Sequence, residues 1–236
     1  MFDRIAPRYD LLNRVLSAGI DVRWRREAVD LLELAAGARV LDLCAGTADV
    51  LIEALARPVV ARGWGVDISE AMLRLGSRKL RERGLGEQAA LSLADAESLP
   101  LASSSFDAAI VAFGIRNVSN PARGLAEMHR VLRPGGRVVV LEFSMPRGLL
   151  GRVYRFYFRR LLPAVGGLIS GDGGAYAYLP ASVERFAGPA EMQSLLAQTG
   201  FGSVSARPLT GGIAHLYRAL AEKGPVVDTL GRGGGE

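Results

Sequence analysis

Val40-Leu41-Asp42-Leu43-Cys44-Ala45-Gly46-Thr47-Ala48-Asp49, followed by Gly65-Val66-Asp67-Ile68-Ser69, specifies a strand, a tight turn, a helix and a second strand ending in an acid. An apolar run that stops at a turn marks a buried parallel strand, and Val40 to Leu43 is such a run with one acid, Asp42, near its carboxyl end. Small residues, Cys44 to Ala48, crowd the turn behind it, as a backbone approached closely by a ligand requires. Asp67 follows about 20 residues past that turn, where a carboxylate can take both hydroxyls of a ribose. This is the outline of a nucleoside-binding α/β half.

What the turn lacks narrows the nucleoside. A dinucleotide site needs glycines spaced G-x-G-x-x-G so that a pyrophosphate can rest on helix N-terminal amides. Of these only Gly46 is present, and Asp42, Asp49 and Asp67 would repel a pyrophosphate. The same acids suit a ligand that carries a cationic sulfonium and an ammonium group, which points to S-adenosylmethionine as the cofactor.

The rest of the chain continues the alternation. Residues 5 to 36 read as a helical cap, with Trp24, Ala28, Leu31 and Leu32 on one face. A basic helix is expected from about Ala71 to Arg83, with Met72, Leu73, Gly76 and Leu80 facing the sheet. Strands follow at Ala89 to Leu93, ahead of Asp95-Ala96, and at Phe106 to Phe113, ahead of Gly114-Ile115-Arg116-Asn117. Pro121 can begin a helix running to Leu132, which the breakers Arg133-Pro134-Gly135-Gly136 stop. Arg137 to Phe143 is then a fifth strand. A helix at 189 to 199 precedes two strands, Val204 to Pro208 and Ile213 to Leu220, whose short link demands an antiparallel pair. The fold class is therefore α/β: a doubly wound, mostly parallel, seven-stranded Rossmann-like sheet with an antiparallel last strand, and with ligands at the carboxyl ends of its strands. Residues 1–220 form one domain, and the glycine-rich tail from 221 is expected to be disordered.

The stretch from Ser144 to Gly188 is too long for a simple connection and reads as a helical lid insertion over the active-site edge. Within it, Arg152 to Leu162 can form a helix with Arg152, Arg155 and Arg159 on one face and aromatics around the rest. Such a helix suits a membrane surface, and equally a lid packed on the body with its arginines solvated.

With 236 residues, 49% of them apolar, the chain can bury a substantial core. No window approaches the roughly 18 uninterrupted apolar residues of a membrane span, and Met1-Phe2-Asp3-Arg4 has no signal-peptide core, so a cytoplasmic protein is expected. The single cysteine, Cys44, excludes an internal disulfide and a cysteine zinc cage. His129 and His215 have no ligand-spaced partners, so no metal is expected. The net charge of +5 is spread along the chain rather than gathered in one run, and nucleic acid is not expected as a partner.

Phe2 to Asn13, Leu16-Ser17-Ala18-Gly19-Ile20-Asp21 before Trp24, the turn at Asp42 to Asp49, Phe113-Gly114-Ile115-Arg116-Asn117-Val118 and Arg130 to Gly136 together resemble the class I methyltransferases of quinone biosynthesis. The chain is most similar to the demethylmenaquinone methyltransferase and 2-polyprenyl-6-methoxy-1,4-benzoquinol methylase family, over roughly residues 2 to 220. Tyr178-Leu179-Pro180-x-Ser182-Val183 leans toward the menaquinone branch. The resemblance implies a S-adenosylmethionine-dependent C-methyltransferase, with Asp67 on the ribose, Asp95-Ala96 near the adenine, and Asp42, Gly46, Thr47, Ile68 and Ala112 around the cofactor. It places Tyr9 and Tyr178 on the lid side of a polyprenyl quinol. Such a family turn usually has two adjacent glycines and a third after the threonine, where this chain has Ala45-Gly46-Thr47-Ala48. Ala112 stands where a serine is common.

Moving a methyl from sulfur to a ring carbon is an in-line displacement that needs an electron-rich ring, and a quinol with an ionised hydroxyl supplies one. The enzyme must align the two atoms, help the hydroxyl lose its proton and exclude water. Arg116 is the candidate to stabilise the phenolate, because its charge is permanent and its planar fork can bond oxygens. It holds its own proton too tightly to be the base, so a water or a tyrosine must relay it, and Asn117 could orient that water or the ring oxygen. Arg116 could instead bridge to Asp10 or Glu142 and fix the lid. The sequence also leaves open another phenolic acceptor, a non-catalytic relative that binds cofactor or quinol, and a homodimer. A lipid-tailed acceptor implies contact with a membrane surface.

Overall fold

The computed structural model describes residues 14, 17, 19–146, 148–156 and 182–222. Seven strands, β1 (Ala38–Leu43), β2 (Val60–Asp67), β3 (Ala89–Leu93), β4 (Phe106–Ala112), β5 (Leu132–Phe143), β6 (Phe201–Leu209) and β7 (Ala214–Ala221), form one sheet in the order β3-β2-β1-β4-β5-β7-β6. Strands β1 to β5 pair in parallel, while β7 runs antiparallel to both β5 and β6. The order reverses between β1 and β4, and at such a switch point the loops leaving neighbouring strands part to opposite faces and open a crevice. Leu43 is in register with Val66 on one side and Val111 on the other, so three carboxyl ends reach that crevice at one level.

Alternation along the strands divides the core. Leu41, Leu43, Ala109, Val111, Val138 and Val140 face one way, against Leu125 and Met128 of α4 (Pro121–Val131) and Met192 and Leu196 of α6 (Pro189–Gln198). Val40, Ile110, Val139 and Leu141 face the other way, against Trp24 and Ala28 of α1 (Ile20–Asp30) and Leu51 of α2 (Asp49–Leu55). Both faces are buried, which is why these strands are continuous apolar runs. On the outer flank, α3 (Glu70–Glu82) starts where the Ser69 hydroxyl accepts the Met72 N–H. The helix α5 (Gly148–Phe156) follows β5.

Several boundaries differ from the sequence reading. Within the proposed cap, the helix among the described residues is Ile20–Asp30, and the chain then turns through Glu33 and Gly37, both at positive φ. Strand β5 begins at Leu132, not Arg137, because Leu132 already pairs with Phe106 and the Pro134-Gly135-Gly136 breakers are absorbed as an irregularity between Phe106 and Ala108. Strand β6 likewise starts early, at Phe201, across an irregularity between Gly202 and Ser205. Residues 157–162 of the basic helix, most of the lid and the glycine-rich tail lie outside the described residues. Among the described residues, no helix is long and apolar enough to cross a membrane.

Gly76 of α3 faces the cofactor turn. A Cβ there would lie 3.1 Å from the Ala48 Cβ and 3.1 Å from the Thr47 carbonyl carbon. Gly76→Ala gains about 1 kcal/mol of helix propensity but overpacks against backbone that cannot rotate away, at about 1–3 kcal/mol. The expected outcome in urea unfolding is a net loss of about 1 kcal/mol, partly restored by adding Ala48→Gly. No recovery in the double variant would show that the Thr47 backbone alone sets the limit.

Candidate active site

The site grows from the carboxyl ends of β1, β2 and β4. Beyond β1 the chain alternates through left-handed residues, with Cys44 at φ 56°, Gly46 at 54° and Ala48 at 64°. Of the two alanines that replace family glycines, Ala48 takes the strained conformation and Ala45 does not. The strain is held in place by backbone bonds: Ala45 N–H donates to Val66 O at 3.0 Å, and Ala48 N–H to Ala45 O at 2.8 Å. Asp67 then locks the turn, because its two oxygens accept the N–H groups of Gly46 and Ser69, both at 2.8 Å. The carboxylate that sequence reasoning placed on a ribose is thereby oriented before any ligand arrives.

Two clefts open here and share Cys44, Gly46, Ala112 and Phe113. The larger runs past Asp67, Ile68, Asp95, Ala96 and Asn117. Ile68 presents an apolar side chain there with 72% of its surface exposed. Asp95 accepts the Glu97 N–H at 2.9 Å, which fixes the start of its loop. The smaller cleft is walled by Asp42, Thr47, Asp49 and Arg25. Thr47 is almost fully buried and its hydroxyl accepts from the Lys79 ammonium at 3.0 Å. This donor set fits S-adenosylmethionine: an apolar shelf and two acids for an adenosine, then the buried Asp42 and the half-buried Asp49 for a cationic end.

Electrostatics separate the acids. Burial pushes the Asp42 carboxyl well above the usual range, with Asp67 adding to the rise and the Leu51 N–H opposing it. Asp49 is also penalised by burial, but Arg25 and Lys79 outweigh this and hold it below the ordinary carboxylate range. The Cys44 thiol is pushed far up by burial and by Asp67, Asp42 and Glu142, so it stays protonated and is no nucleophile. For Asp42, a raised folded value means stability that is complete below the unfolded pKa and is lost as pH rises toward the folded one. Asp42→Asn cannot ionise, so in urea titrations the wild-type stability is expected to fall relative to the variant as pH rises above about 4, the ordinary carboxylate value of the unfolded chain. Parallel curves would remove Asp42 as the source.

Arg116 and Asn117 occupy a short 3₁₀ turn after β4. Asn117 lines the larger cleft, but Arg116 lines neither. Its guanidinium is buried against Glu142 of β5 at 2.7 Å, donates to Phe113 O at 2.5 Å, and lies 5.5 Å from the ring of Phe143. Of the two partners considered from sequence, Glu142 is the one seen; Asp10 lies outside the described residues, as do Tyr9 and Tyr178. Phe113, at φ 58°, is held in that conformation from below by Arg116 and stacks on Phe143 with centroids 4.3 Å apart. Sequence reasoning missed Phe113, Arg25 and Lys79. The only available signal for them was position, after β4 and on the helices that flank the turn. Among the described residues no cluster of His, Cys, Asp and Glu could hold a metal.

Comparison with known proteins agrees with this architecture. A solved [4+2]-cyclase, SpnF, superposes with a TM-score of 0.72 at 19% identity over 95% of each chain. A S-adenosylmethionine-dependent methyltransferase from Aquifex aeolicus gives 0.62 at 17% identity over 84% of this chain and 89% of its own. These distant likenesses establish the fold alone. A demethylmenaquinone methyltransferase from Thermus thermophilus is 49% identical over 92% of this chain and 98% of its own. A ubiquinone/menaquinone biosynthesis C-methyltransferase from Syntrophotalea carbinolica is 53% identical over 92% and 91%. The family profile matches residues 1–221, and the chain belongs to the ubiE/COQ5 methyltransferase family, a S-adenosylmethionine-dependent methyltransferase.

Proposed function

We propose that this enzyme methylates a ring carbon of a reduced polyprenyl quinone, with demethylmenaquinol as its acceptor. The observation that carries the reading is the 49% identity, over nearly the whole length of both chains, with the Thermus thermophilus demethylmenaquinone methyltransferase. A benzoquinol is the second reading, favoured by the several relatives named for both quinones.

In this proposal Asp67 holds the ribose, Asp95 and Ala96 border the adenine, Ile68 packs on it, and Gly46, Thr47 and Ala112 form the floor. When bound, S-adenosylmethionine supplies an electrophilic methyl on a sulfonium. The chain's own residues do the rest. Arg116 is paired with Glu142 and lines neither cleft, so it serves methyl transfer as a positioning residue rather than as a donor to the phenolate. It keeps Phe113 in the strained conformation that walls both clefts. Asn117 orients the ring oxygen or a water, and Tyr9 and Tyr178 contact the acceptor from the lid side. The test is turnover of labelled S-adenosylmethionine with chemically reduced demethylmenaquinone beside a reduced methoxy-benzoquinone precursor. Transfer to the naphthoquinol is expected. Failure with both quinols while the cofactor binds would overturn the acceptor assignment.

A lipid-tailed acceptor requires the enzyme to work at a membrane surface, and the stretch Arg152 to Leu162, which begins within α5, is the proposed contact. It presents Phe156 with 62% of its surface exposed, and Arg152 is exposed on the same helix. Changing Arg152, Arg155 and Arg159 to glutamate is expected to lower the partition constant for anionic vesicles by about 100-fold or more, since each basic residue near such a surface contributes about 1 kcal/mol. Unchanged sedimentation would eliminate this helix.

A further inference from the structure

The acceptor hydroxyl must lose a proton before its ring carbon becomes a good nucleophile, and Arg116, already protonated and paired, cannot take it. The cofactor clefts occupy the ends of β1, β2 and β4, so an in-line displacement brings the ring from the far side of Phe113, toward the ends of β5 and β7. His215 stands there. Because β7 runs antiparallel to β5, its second residue pairs with Glu142 at the carboxyl end of β5, and strand alternation puts both side chains on the face that carries Val140 and Tyr217. The other histidine, His129, lies against Phe201 and the Glu222 carbonyl, at the opposite end of β7.

We propose that His215 is the general base of methyl transfer, its Nε2 atom taking the proton of the quinol hydroxyl directly or across one water. This rests on the reading of the acceptor as a quinol.

Ser144 sets the imidazole for that task. Its hydroxyl lies 2.6 Å from the Gly212 carbonyl oxygen and 2.7 Å from Nδ1 of His215. Two oxygens that close need a proton between them, so the hydroxyl donates to Gly212 and turns a lone pair to Nδ1. Nδ1 must then carry a proton, which leaves the lone pair of the neutral ring on Nε2. Among the described residues Nε2 has no partner. The single proton of Ser144 is committed to a carbonyl, so the two side chains are not a serine nucleophile and its base.

The surroundings keep the ring neutral. On β5, the charge of Glu142 is cancelled by Arg116 at 2.7 Å. On β7, Tyr217 stacks on the ring with centroids 6.0 Å apart, and burial and Glu142 push its phenol up, so it is uncharged. On β6, the residue paired with His215 is Pro208. Burial is left to act alone and holds the imidazole below its ordinary pKa of 6.5, so the base is free at neutral pH.

The step balances. The hydroxyl O–H bond breaks and its proton bonds to Nε2, while the ring carbon bonds the methyl as the S–C bond breaks and its electron pair leaves with sulfur. The ring carbon then loses its hydrogen to solvent as a proton, and Nε2 returns its own to the oxygen. His215 ends neutral, and one proton is released per methyl.

The test is the pH profile of kcat for transfer to chemically reduced demethylmenaquinone by the full-length protein, together with nitrogen NMR of its two histidines. Wild type is expected to rise with unit slope through a pKa below 6.5 and then level off. His215→Gln is expected to be about 100-fold slower at neutral pH and to lose the level region, its rate climbing up to about pH 9 as solvent replaces the base. Ser144→Ala releases the tautomer and should lower the level region while keeping the acid limb; it carries the comparison if the glutamine variant does not fold. In the spectra, His215 is expected as the Nδ1–H tautomer. A glutamine variant that keeps the wild-type profile at any rate, an unchanged level region in the alanine variant, or an Nε2–H tautomer would each overturn the proposal. If wild type methylated no quinol at all, the acceptor reading would fail and take this inference with it.

Discussion

Glu142→Ala is expected to lower the stability of the protein by about 3–5 kcal/mol, the usual cost of leaving one member of a buried ion pair alone. The carboxylate is 1% exposed and its partner's side chain 7%, and its removal strands the Arg116 guanidinium between β5 and the Phe113 carbonyl. Phe113 is then no longer held at positive φ, so methyl transfer should fall as well. Urea unfolding of the single variant provides the first check. The double variant Arg116→Met, Glu142→Leu separates stability from function, because replacing both ions by packed apolar groups is often neutral or stabilising. It is expected to recover most of the stability while methyl transfer stays reduced by about 100-fold, the scale of a misplaced site wall, because Phe113 has lost the guanidinium that holds its carbonyl. A double variant as active as wild type would reduce Arg116 to a structural role, and a single variant that lost less than about 1 kcal/mol would mean the pair behaves as a surface one.

The second large effect concerns Asp67. Asp67→Ala is expected to weaken binding of the adenosine end by at least about 100-fold, since hydrogen bonds to a charged group contribute about 1.5–3 kcal/mol each and a ribose diol offers two. The same carboxylate braces Gly46 and Ser69, so loss of affinity alone would not distinguish contact from bracing. The 2′-deoxy analogue of S-adenosylhomocysteine makes the distinction. Wild type should discriminate against it, and Asp67→Ala should bind both forms equally. Discrimination that survives the substitution would place the ribose away from Asp67.

Most of the fold was legible because its signals are local. The apolar runs of β1, β4 and β5 stand out because both faces of the sheet are covered, and the small residues after Leu43 announce a turn whose backbone adopts φ values that large side chains disfavour. Boundaries were read less well where pairing overrode composition. Pro134, Gly135 and Gly136 look like an end, yet the neighbouring β4 supplies Phe106 as a partner for Leu132 and the strand tolerates an irregularity there. In the cap, the apolar period of Trp24 to Leu32 does not reveal that the helix stops at Asp30.

By itself the sequence determined the doubly wound α/β class, the antiparallel final pair, and the acid at the end of the second strand with its spacing from the turn. Each of these follows from side-chain period and turn chemistry within about 30 residues. Only the tertiary structure decided which charges meet. Arg25 reaches Asp49 across 24 residues, Lys79 reaches it across 30, and Arg116 is joined to Glu142 rather than left open to the cleft. The physical reason is that an ion pair of this kind depends on helix packing and strand register, which bring distant residues together, and on burial, which decides whether a charge is exposed to a ligand or neutralised by a neighbour.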